Sequence, residues 1–324
     1  MKFSLQLDNV VKKFGNFKAL DNISLNVEEG EVFAYLGPNG AGKSTTIRVL
    51  LGILQAASGN AKVLGMDAWK NATEIHKRIA YVPGDVNLWA NLTGGEVIDL
   101  FVSLRGTYNK ALRDKLVRDF DLDATKKCRT YSKGNRQIVA LIAAFASNAD
   151  LFILDEPTSG LDPLMEQVFQ SYVLEQKNKG RSVFLSSHIM SEVERLCDRM
   201  GIIRDGKLVE TGTLSDLRHL TRYHMDIVTM REPEGLGKIN GIHNISIEEQ
   251  NGQRPFMLPT FRREIAEQFP GIQKNTRFEV DTEELDAVIR YISQFGIQKL
   301  ECAPPSLEAL FMRHYDTSAG GKLS

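Results

Sequence analysis

A glycine-rich segment early in the chain has the residue types and spacing of a phosphate-binding loop. It matches the pattern GxxxxGK[ST], follows an apolar run typical of a buried strand, and precedes a helical pattern. Its residues are Gly37, Pro38, Asn39, Gly40, Ala41, Gly42, Lys43 and Ser44, with Thr45 next in the chain. The glycines let successive backbone N–H groups close around phosphate oxygens. Lys43 supplies a mobile charge for the β- and γ-phosphates, and the Ser44 hydroxyl is suited to bind Mg²⁺.

Two carboxylates at the end of a second apolar run complete the chemistry of phosphate transfer. Asp155 and Glu156 follow Leu151–Leu154, so they are expected at the edge of a parallel sheet where ligands bind. Asp155 is suited to hold Mg²⁺ through water, and Glu156 can act as general base or orient the attacking water. The sequence therefore predicts hydrolysis of a nucleoside triphosphate with Mg²⁺ as the cofactor.

Three further segments occur in the order and spacing of one protein family. Tyr131–Gln137 opens a predicted helix, Ser159–Asp162 follows the acidic strand, and Ser186–His188 follows another apolar run. With these segments the chain resembles the ATPase subunits of ABC transporters, in which they correspond to the signature, the D-loop and the switch-histidine loop. Phe14, in an early predicted hairpin, matches the aromatic residue on which adenine stacks. The resemblance covers roughly residues 3–220.

This resemblance implies a head-to-tail dimer, either of the chain with itself or with a paralogous ATPase. ATP on Lys43 of one subunit would be closed over by the signature of the other. The signature residues expected at that contact are Ser132, Lys133, Gly134 and Asn135. His188 would act in catalysis by holding the γ-phosphate and the attacking water, and Asp162 is the D-loop acid. The implied partner is a separately encoded membrane permease, and the implied location is peripheral, on the cytoplasmic face of the cell membrane.

The chain departs from the family pattern at two places. Gly84 stands where the family usually has a glutamine that touches Mg²⁺, so either Asp85 reaches the metal or water fills the gap. In the signature, Lys133 replaces a glycine and Asn135 replaces a glutamine. Variants like Gly84 and Lys133 resemble those of bacterial drug-exporter ATPases. The expected role is therefore export of drugs, antibiotics or lipophilic compounds.

An apolar cluster follows Gly84 in what should be a surface loop. It contains Leu88, Trp89 and Leu92, and its family counterpart borders the groove for the permease's coupling helix. Tryptophan is enriched at the centre of protein interfaces, which favours a permease contact. An equally good interpretation is that Trp89 belongs to a small core under the neighbouring helices.

The elements that must position these residues form an α/β pattern through about residue 220. Strand-like apolar runs alternate with helical segments, which is typical of a parallel sheet covered by helices. The predicted strands are Glu31–Leu36, Arg78–Val82, Leu151–Leu154, Ser182–Ser186 and Gly201–Arg204. An antiparallel part is expected at 3–7 and 23–27, with a closing hairpin at Lys207–Thr211. Residues 87–147 read as a helical insertion. The predicted fold is therefore that of a P-loop NTPase of the ABC type, over residues 1–222.

The composition changes around Arg231–Gly235, and a small α+β domain is expected over 223–315. Its predicted elements are a strand at Arg277–Val280, a helix at about 283–294, a strand at Ile297–Cys302 and a final helix opened by Ser306. Residues 316–324 read as a flexible, polar tail.

Composition excludes several other classes of protein. The 40 Lys and Arg residues against 41 Asp and Glu give a formal charge of −1, so nucleic acid is not an expected partner. The longest apolar run, Ile138–Ala146, is too short to span a membrane. The start of the chain lacks the apolar region of an export signal. The 3 cysteines form no CxxC pair and the 6 histidines show no metal-ligand spacing, so both are interpreted as structural.

Two other functions compete with the transporter hypothesis. A soluble ABC ATPase acting on the ribosome or DNA usually has two phosphate loops or a long coiled coil, and this chain has one loop and no such coil. A regulatory nucleotide-binding module without turnover is disfavoured because Lys43, Asp155, Glu156 and His188 are all present.

Overall fold

The computed structural model describes residues 2–104, 109–219, 222–249 and 274–303, and these divide into two compact units. The division falls after Leu214, whereas composition places the boundary near residue 222; the helix Leu214–His219 lies between the two positions. The final helix predicted from Ser306 and the tail at 316–324 lie outside the described residues.

The strands of the described residues make up three sheets. They are β1 (Phe3–Phe14), β2 (Phe17–Glu28), β3 (Val32–Leu36), β4 (Ser58–Val63), β5 (Met66–Asp67), β6 (Ile79–Val82), β7 (Leu151–Asp155), β8 (Ser182–Ser187), β9 (Arg199–Arg204), β10 (Lys207–Thr213), β11 (Tyr223–Thr229), β12 (Ile242–Glu249), β13 (Lys274–Val280) and β14 (Ile297–Ala303). The first unit holds the antiparallel sheet β2-β1-β4-β5 and the six-stranded sheet β10-β9-β3-β8-β7-β6. The second unit holds the antiparallel sheet β12-β13-β11-β14.

Helices cover the strands and fill the insertion. They are α1 (Lys43–Leu50), α2 (Ala72–Arg78), α3 (Gly94–Ser103), α4 (Lys110–Asp119), α5 (Lys133–Phe145), α6 (Pro163–Asn178), α7 (Met190–Leu196), α8 (Leu214–His219) and α9 (Leu285–Ser293). In the described part of 87–147 the regular elements are α3, α4, α5 and a 3₁₀ turn, which confirms the helical insertion. Among the described residues, no helix has the length and apolar character needed to cross a membrane.

The six-stranded sheet determines at which edge the site residues meet. Strands β9, β3, β8, β7 and β6 run parallel, and β10 closes one edge through an antiparallel hairpin. The central strands β3 and β7 are buried along their whole length, as their continuous apolar sequences predict. Because parallel strands end on the same edge, the residues that follow β3, β7 and β8 meet there.

The early hairpin and the closing hairpin both turn as their sequences indicate. Gly15 lies between β1 and β2 with a φ of 57°. Asp205 and Gly206 connect β9 to β10 with φ values of 47° and 73°, the left-handed conformation that tight hairpins need at both central positions. The predicted parallel core, antiparallel part and closing hairpin are therefore all present.

The second unit has its own small core on one face of its sheet. Met225 and Ile227 of β11 pack with Phe278 of β13 and with Val288 and Ile292 of α9. The opposite face carries polar side chains, and Asp226 there pairs with Arg277 at 3.0 Å. Strands β13 and β14 and helix α9 lie close to the positions predicted from sequence, while β11 and β12 carry no equally clear pattern.

Candidate ATP-hydrolysing site

The phosphate-binding loop connects β3 to α1 in the first unit. Its glycines provide the backbone conformations that other residues rarely adopt, with φ values of 83° at Gly40 and 115° at Gly42. A side chain at Gly37 would collide with the backbone of Ile203, since its Cβ would lie 2.5 Å from the carbonyl oxygen. The pattern of glycines thus reflects both the sharp turn and close packing against β9.

Lys43 lies inside the loop rather than extending into solvent. Its ammonium group donates to the carbonyl oxygens of Gly37 at 2.6 Å and Pro38 at 3.2 Å, and its side chain is only 5% exposed. The same nitrogen lies 3.4 Å from Glu156 Oε1. A buried cation surrounded by acceptor oxygens is a ready partner for phosphate oxygens, which carry more negative charge than carbonyls.

Asp155 and Glu156 occupy the end of β7, next to the end of β8. The Ser186 hydroxyl donates to Asp155 Oδ1 at 2.5 Å and accepts from the Glu156 backbone N–H at 3.0 Å. Glu156 has a φ of 47°, an unfavourable backbone conformation for a residue with a side chain. The turn directs Glu156 toward the cleft, while Asp155 stays buried beneath it.

His188 approaches the same carboxylate from β8. Its Nδ1 lies 3.6 Å from Glu156 Oε1, and its side chain is 51% exposed. The structure therefore brings Lys43, Glu156 and His188 together around one carboxylate oxygen, as the sequence motifs predict. This arrangement can hold a phosphate with a cation and present a base to a water molecule.

A cleft of about 230 Å³ lies beside the loop. Of the predicted ATP contacts, those that line it are Phe14, Pro38, Asn39, Gly40, Gly42, Lys43, Ser44 and Thr45. Gly37 and Ala41 of the loop are buried and do not line the cleft. Phe17 also lines the cleft, next to Phe14 across the hairpin turn, and both rings are exposed. Sequence reasoning missed Phe17, although its position three residues after Phe14, across a Gly15 turn, was a usable signal.

The proposed metal ligands supply hard oxygen donors, which suit Mg²⁺. The Ser44 hydroxyl lines the cleft, and the Asp155 carboxylate is oriented by Ser186. Among the described residues, no group of three or more histidine, cysteine or acidic side chains could hold a metal by itself. Because Mg²⁺ in nucleotide sites binds through one or two side chains and the phosphates, these residues fit that ion. Asp85 is exposed and is not among the residues that line the cleft.

Gly84 packs directly against the acidic strand end. A Cβ at this position would lie 3.1 Å from the Asp155 carbonyl oxygen, so even a small side chain would force the backbone to shift slightly. Tyr81 lies three residues earlier, in β6. Its burial, together with the charge of Asp155, raises the Tyr81 pKa to about 12. Gly84, which stands where the family usually has a glutamine, is therefore in close contact with the Asp155 backbone.

The signature segment packs on the D-loop of the same chain. Ser132 caps helix α5 by accepting from the Asn135 N–H at 3.2 Å, and Lys133 donates to the Ser159 hydroxyl at 2.8 Å. Gly134 is required here, because its Cβ would lie 2.3 Å from the Gly160 carbonyl oxygen. None of these described signature residues lines the cleft. Their contact with a second subunit's ATP stays a prediction.

Asp162 has a clear local role. Its Oδ1 accepts from the N–H groups of Leu164 at 3.0 Å and Met165 at 2.9 Å, which caps helix α6. The D-loop is thus held in place by α6 on one side and by the signature helix on the other.

The apolar cluster after Gly84 forms a groove with residues from two helices. This apolar groove has a volume of about 100 Å³, and its lining residues are Tyr81, Pro83, Val86, Asn87, Leu88, Phe101, Ala140, Ala143 and Ala144. Trp89 is 54% exposed, and its ring centroid lies 5.8 Å from that of Phe101. Leu92 is half-buried, and of the three predicted permease-contact residues only Leu88 lines the groove. The exposure of Trp89 argues against the buried-core interpretation.

Comparisons with known proteins agree with this geometry. The family model described as ABC transporter matches residues 20–159. A protein of Escherichia coli named probable multidrug ABC transporter ATP-binding protein YbhF is 35% identical over 219 residues, which cover 66% of this chain and 38% of that protein. A Bacillus licheniformis protein named bacitracin transport ATP-binding protein BcrA is 34% identical over 232 residues, or 70% of this chain and 75% of that protein. A solved structure entitled "Structure of ATP binding subunit of ABC transporter" is 32% identical, with a TM-score of 0.62, covering 67% of this chain and 92% of that one.

Proposed function

This chain belongs to the family of ABC transporter ATP-binding proteins, and on that premise we propose that it hydrolyses Mg²⁺-ATP to energise a separately encoded membrane permease. The observation that carries the proposal is the meeting of Lys43 and His188 at Glu156 Oε1, at 3.4 and 3.6 Å, beside the cleft that the phosphate-binding loop and Phe14 line.

The geometry supports a simple division of work among the residues. Lys43 and the N–H groups of the loop bind the phosphates, and Phe14 with Phe17 offers aromatic surface to the base. Glu156 accepts a proton from the attacking water or orients it, and His188 holds the water and the γ-phosphate. When bound, Mg²⁺ would supply positive charge against the negative charge that develops on the phosphate. Ser44 and Asp155 are the residues proposed to hold it.

The signature helix supports the head-to-tail dimer as part of this proposal. Ser132 and the N-terminus of α5 present N–H groups and the positive end of the helix dipole, which suit a phosphate of a second subunit. Lys133 adds a cation beside them. The second subunit is either another copy of this chain or a paralogous ATPase.

The apolar groove is the proposed contact for the permease. Trp89 and Phe101 are large exposed aromatics beside a narrow apolar depression, a combination suited to an inserted helix. The proposed location is peripheral, at the cytoplasmic face of the cell membrane. The names of both relatives, a multidrug transporter protein and a bacitracin transport protein, support transport over the alternative of a ribosome- or DNA-acting ATPase. The proposed direction is export, and the proposed substrates are drugs, antibiotics or other lipophilic compounds.

Copurification tests the partner directly. The tagged full chain is extracted from membranes in mild detergent, and bound proteins are identified by mass spectrometry. We expect a polytopic membrane protein at a fixed ratio to the chain, lost when Trp89 is replaced by alanine. Recovery of ribosomal proteins or DNA in place of a membrane protein would contradict the transporter proposal.

A further inference from the structure

A buried carboxyl group, that of Glu192, contacts the turn that carries His188. Glu192 is in the first turn of α7, four residues after His188, and only 5% of it is exposed. Its Oε2 accepts a hydrogen bond of 2.7 Å from the Ser187 hydroxyl. Its Oε1 is buried and has no hydrogen-bond partner among the described residues. Burying a carboxyl group costs free energy, so the site must gain something from keeping it.

The Ser187 hydroxyl connects this carboxyl group to the histidine turn. It accepts from the Ile189 N–H at 2.9 Å while donating to Glu192, so these bonds link the residues before and after His188 to the carboxyl group. Ser186, the preceding residue of β8, points to the opposite face and bonds to Asp155 and Glu156. The last two side chains of β8 therefore fix the strand end to the acidic pair on one face and to Glu192 on the other.

The groups around Glu192 include other members of the hydrolytic site. Buried Thr158, two residues after Glu156, faces the same carboxyl group. The Glu192 pKa is raised to about 7, mainly by burial; the charges of Glu166 and Glu156 also raise it, and the Ser187 and Thr158 hydroxyls oppose the rise. The Cys197 thiol also faces it, and its own pKa is raised by burial and then by Glu192.

We infer that Glu192 is a positioning residue for ATP hydrolysis: by holding the Ser187 hydroxyl it fixes the turn that presents His188 to Glu156. This inference rests on the proposed function. Ser187, His188 and Glu192 are not among the residues that line the nucleotide cleft, so we expect Glu192 to affect turnover more than ATP binding.

Kinetics of the purified full chain test this role. We expect Glu192→Ala to lower kcat by about tenfold to a hundredfold, with the Kd for ATP changed by less than about threefold. Glu192→Gln keeps an oxygen that can accept from Ser187, so it should restore most of kcat while losing the dependence of kcat on pH around 7. Ser187→Ala should lower kcat as well, and the double variant should fall no further than the lower single variant, because both act through one hydrogen bond.

A matched control and a readout without turnover complete the test. Glu194→Gln removes an exposed carboxylate from the same helix and should leave kcat unchanged. The ¹³C-labelled His188 ring signal of the nucleotide-free chain, assigned by comparison with His188→Ala, should shift or broaden in Glu192→Ala but not in Glu194→Gln.

The inference would be overturned if Glu192→Ala had the same kcat and the same His188 signal as the control Glu194→Gln. The inference would also fail if Glu192→Ala lost kcat and ATP affinity to the same extent and Glu192→Gln did not restore kcat. That result would indicate general disruption of the fold. A wild-type chain that releases no phosphate counts against the proposed function instead, and the His188 signal still decides the role of Glu192.

Discussion

The nucleotide cleft and the apolar groove begin at the ends of parallel strands of one sheet, but they are built in opposite ways. The cleft is lined by the loop after β3, by Glu156 at the end of β7 and by the β1–β2 hairpin, and it is supported by hydrogen-bonded buried polar groups such as Lys43 and Ser186. The groove is lined partly by the loop after β6, and Phe101 in its lining and Trp89 beside Phe101 are both exposed. A ligand of fixed charge needs tightly held polar groups, whereas a protein partner can be bound by apolar surface that closes only on association.

The strongest expected effect lies in the cleft, at Glu156. Glu156→Gln keeps the shape of the side chain and most hydrogen bonding but removes the base, so kcat for ATP hydrolysis should fall by about 10²-fold or more. ATP binding should persist, which a nucleotide titration checks on the same sample. Normal turnover by this variant would place the catalytic role elsewhere, with His188 the next candidate.

Burial of polar groups on the cleft side also predicts how stability depends on pH. The Glu192 pKa is about 7 in the folded chain, above its ordinary value of 4.5. The stabilising contribution of its neutral form is therefore complete below pH 4.5 and is lost as pH rises through 7. Between pH 5 and 8 the wild type should lose on the order of 2 kcal/mol of unfolding free energy relative to Glu192→Gln. Denaturant titrations at both pH values measure it, and parallel curves for the two proteins would show that Glu192 does not titrate there.

Lys43 tests the charge at the centre of the cleft. Lys43→Ala should weaken ATP binding by about 10- to 100-fold, because hydrogen bonds to a charged group contribute on the order of 1.5–3 kcal/mol. The exposed Lys70→Ala change controls for loss of a positive charge alone. Equal ATP affinity of these two folded variants would remove Lys43 from the phosphate site.

Trp89 tests the proposed role of the apolar groove as a permease contact. Trp89→Ala should leave the melting temperature and basal ATPase of the isolated chain nearly unchanged, since surface changes usually cost within about 0.5 kcal/mol. Association with the permease should weaken by at least about 30-fold, equivalent to about 2 kcal/mol. Trp69, which is 48% exposed and lies between β5 and α2, provides the matched control Trp69→Ala. A large drop in melting temperature for Trp89→Ala would instead support a core role.

The two regions also differ in how far the sequence predicts them. The phosphate loop and the acidic strand end are continuous segments whose chemistry and flanking elements are visible together, so their meeting at one sheet edge could be predicted. The groove joins the loop after β6 to Phe101 of α3 and to small residues of α5, such as Ala140 and Ala143. Their approach depends on how the helices of the insertion pack, which periodicity alone does not specify.

Some features of the hydrolytic site were also beyond the sequence. The motifs indicate that a glutamine is replaced at Gly84, but not that Gly84 packs on the Asp155 carbonyl, because that contact crosses from β6 to β7. Glu192 reads as an ordinary polar residue of a surface helix. Only the packing of α7 against β8 buries it beside Ser187.

The central claim is that this cleft hydrolyses Mg²⁺-ATP, and phosphate release by the purified full chain tests it most directly. Phosphate and ADP are measured with and without Mg²⁺, alongside Lys43→Ala and Glu156→Gln. We predict equal amounts of both products, formed only with Mg²⁺ and nearly abolished in each variant. ATP binding without Mg²⁺-dependent product formation, or turnover unaffected by both substitutions, would contradict the assignment of this cleft as an ATPase site.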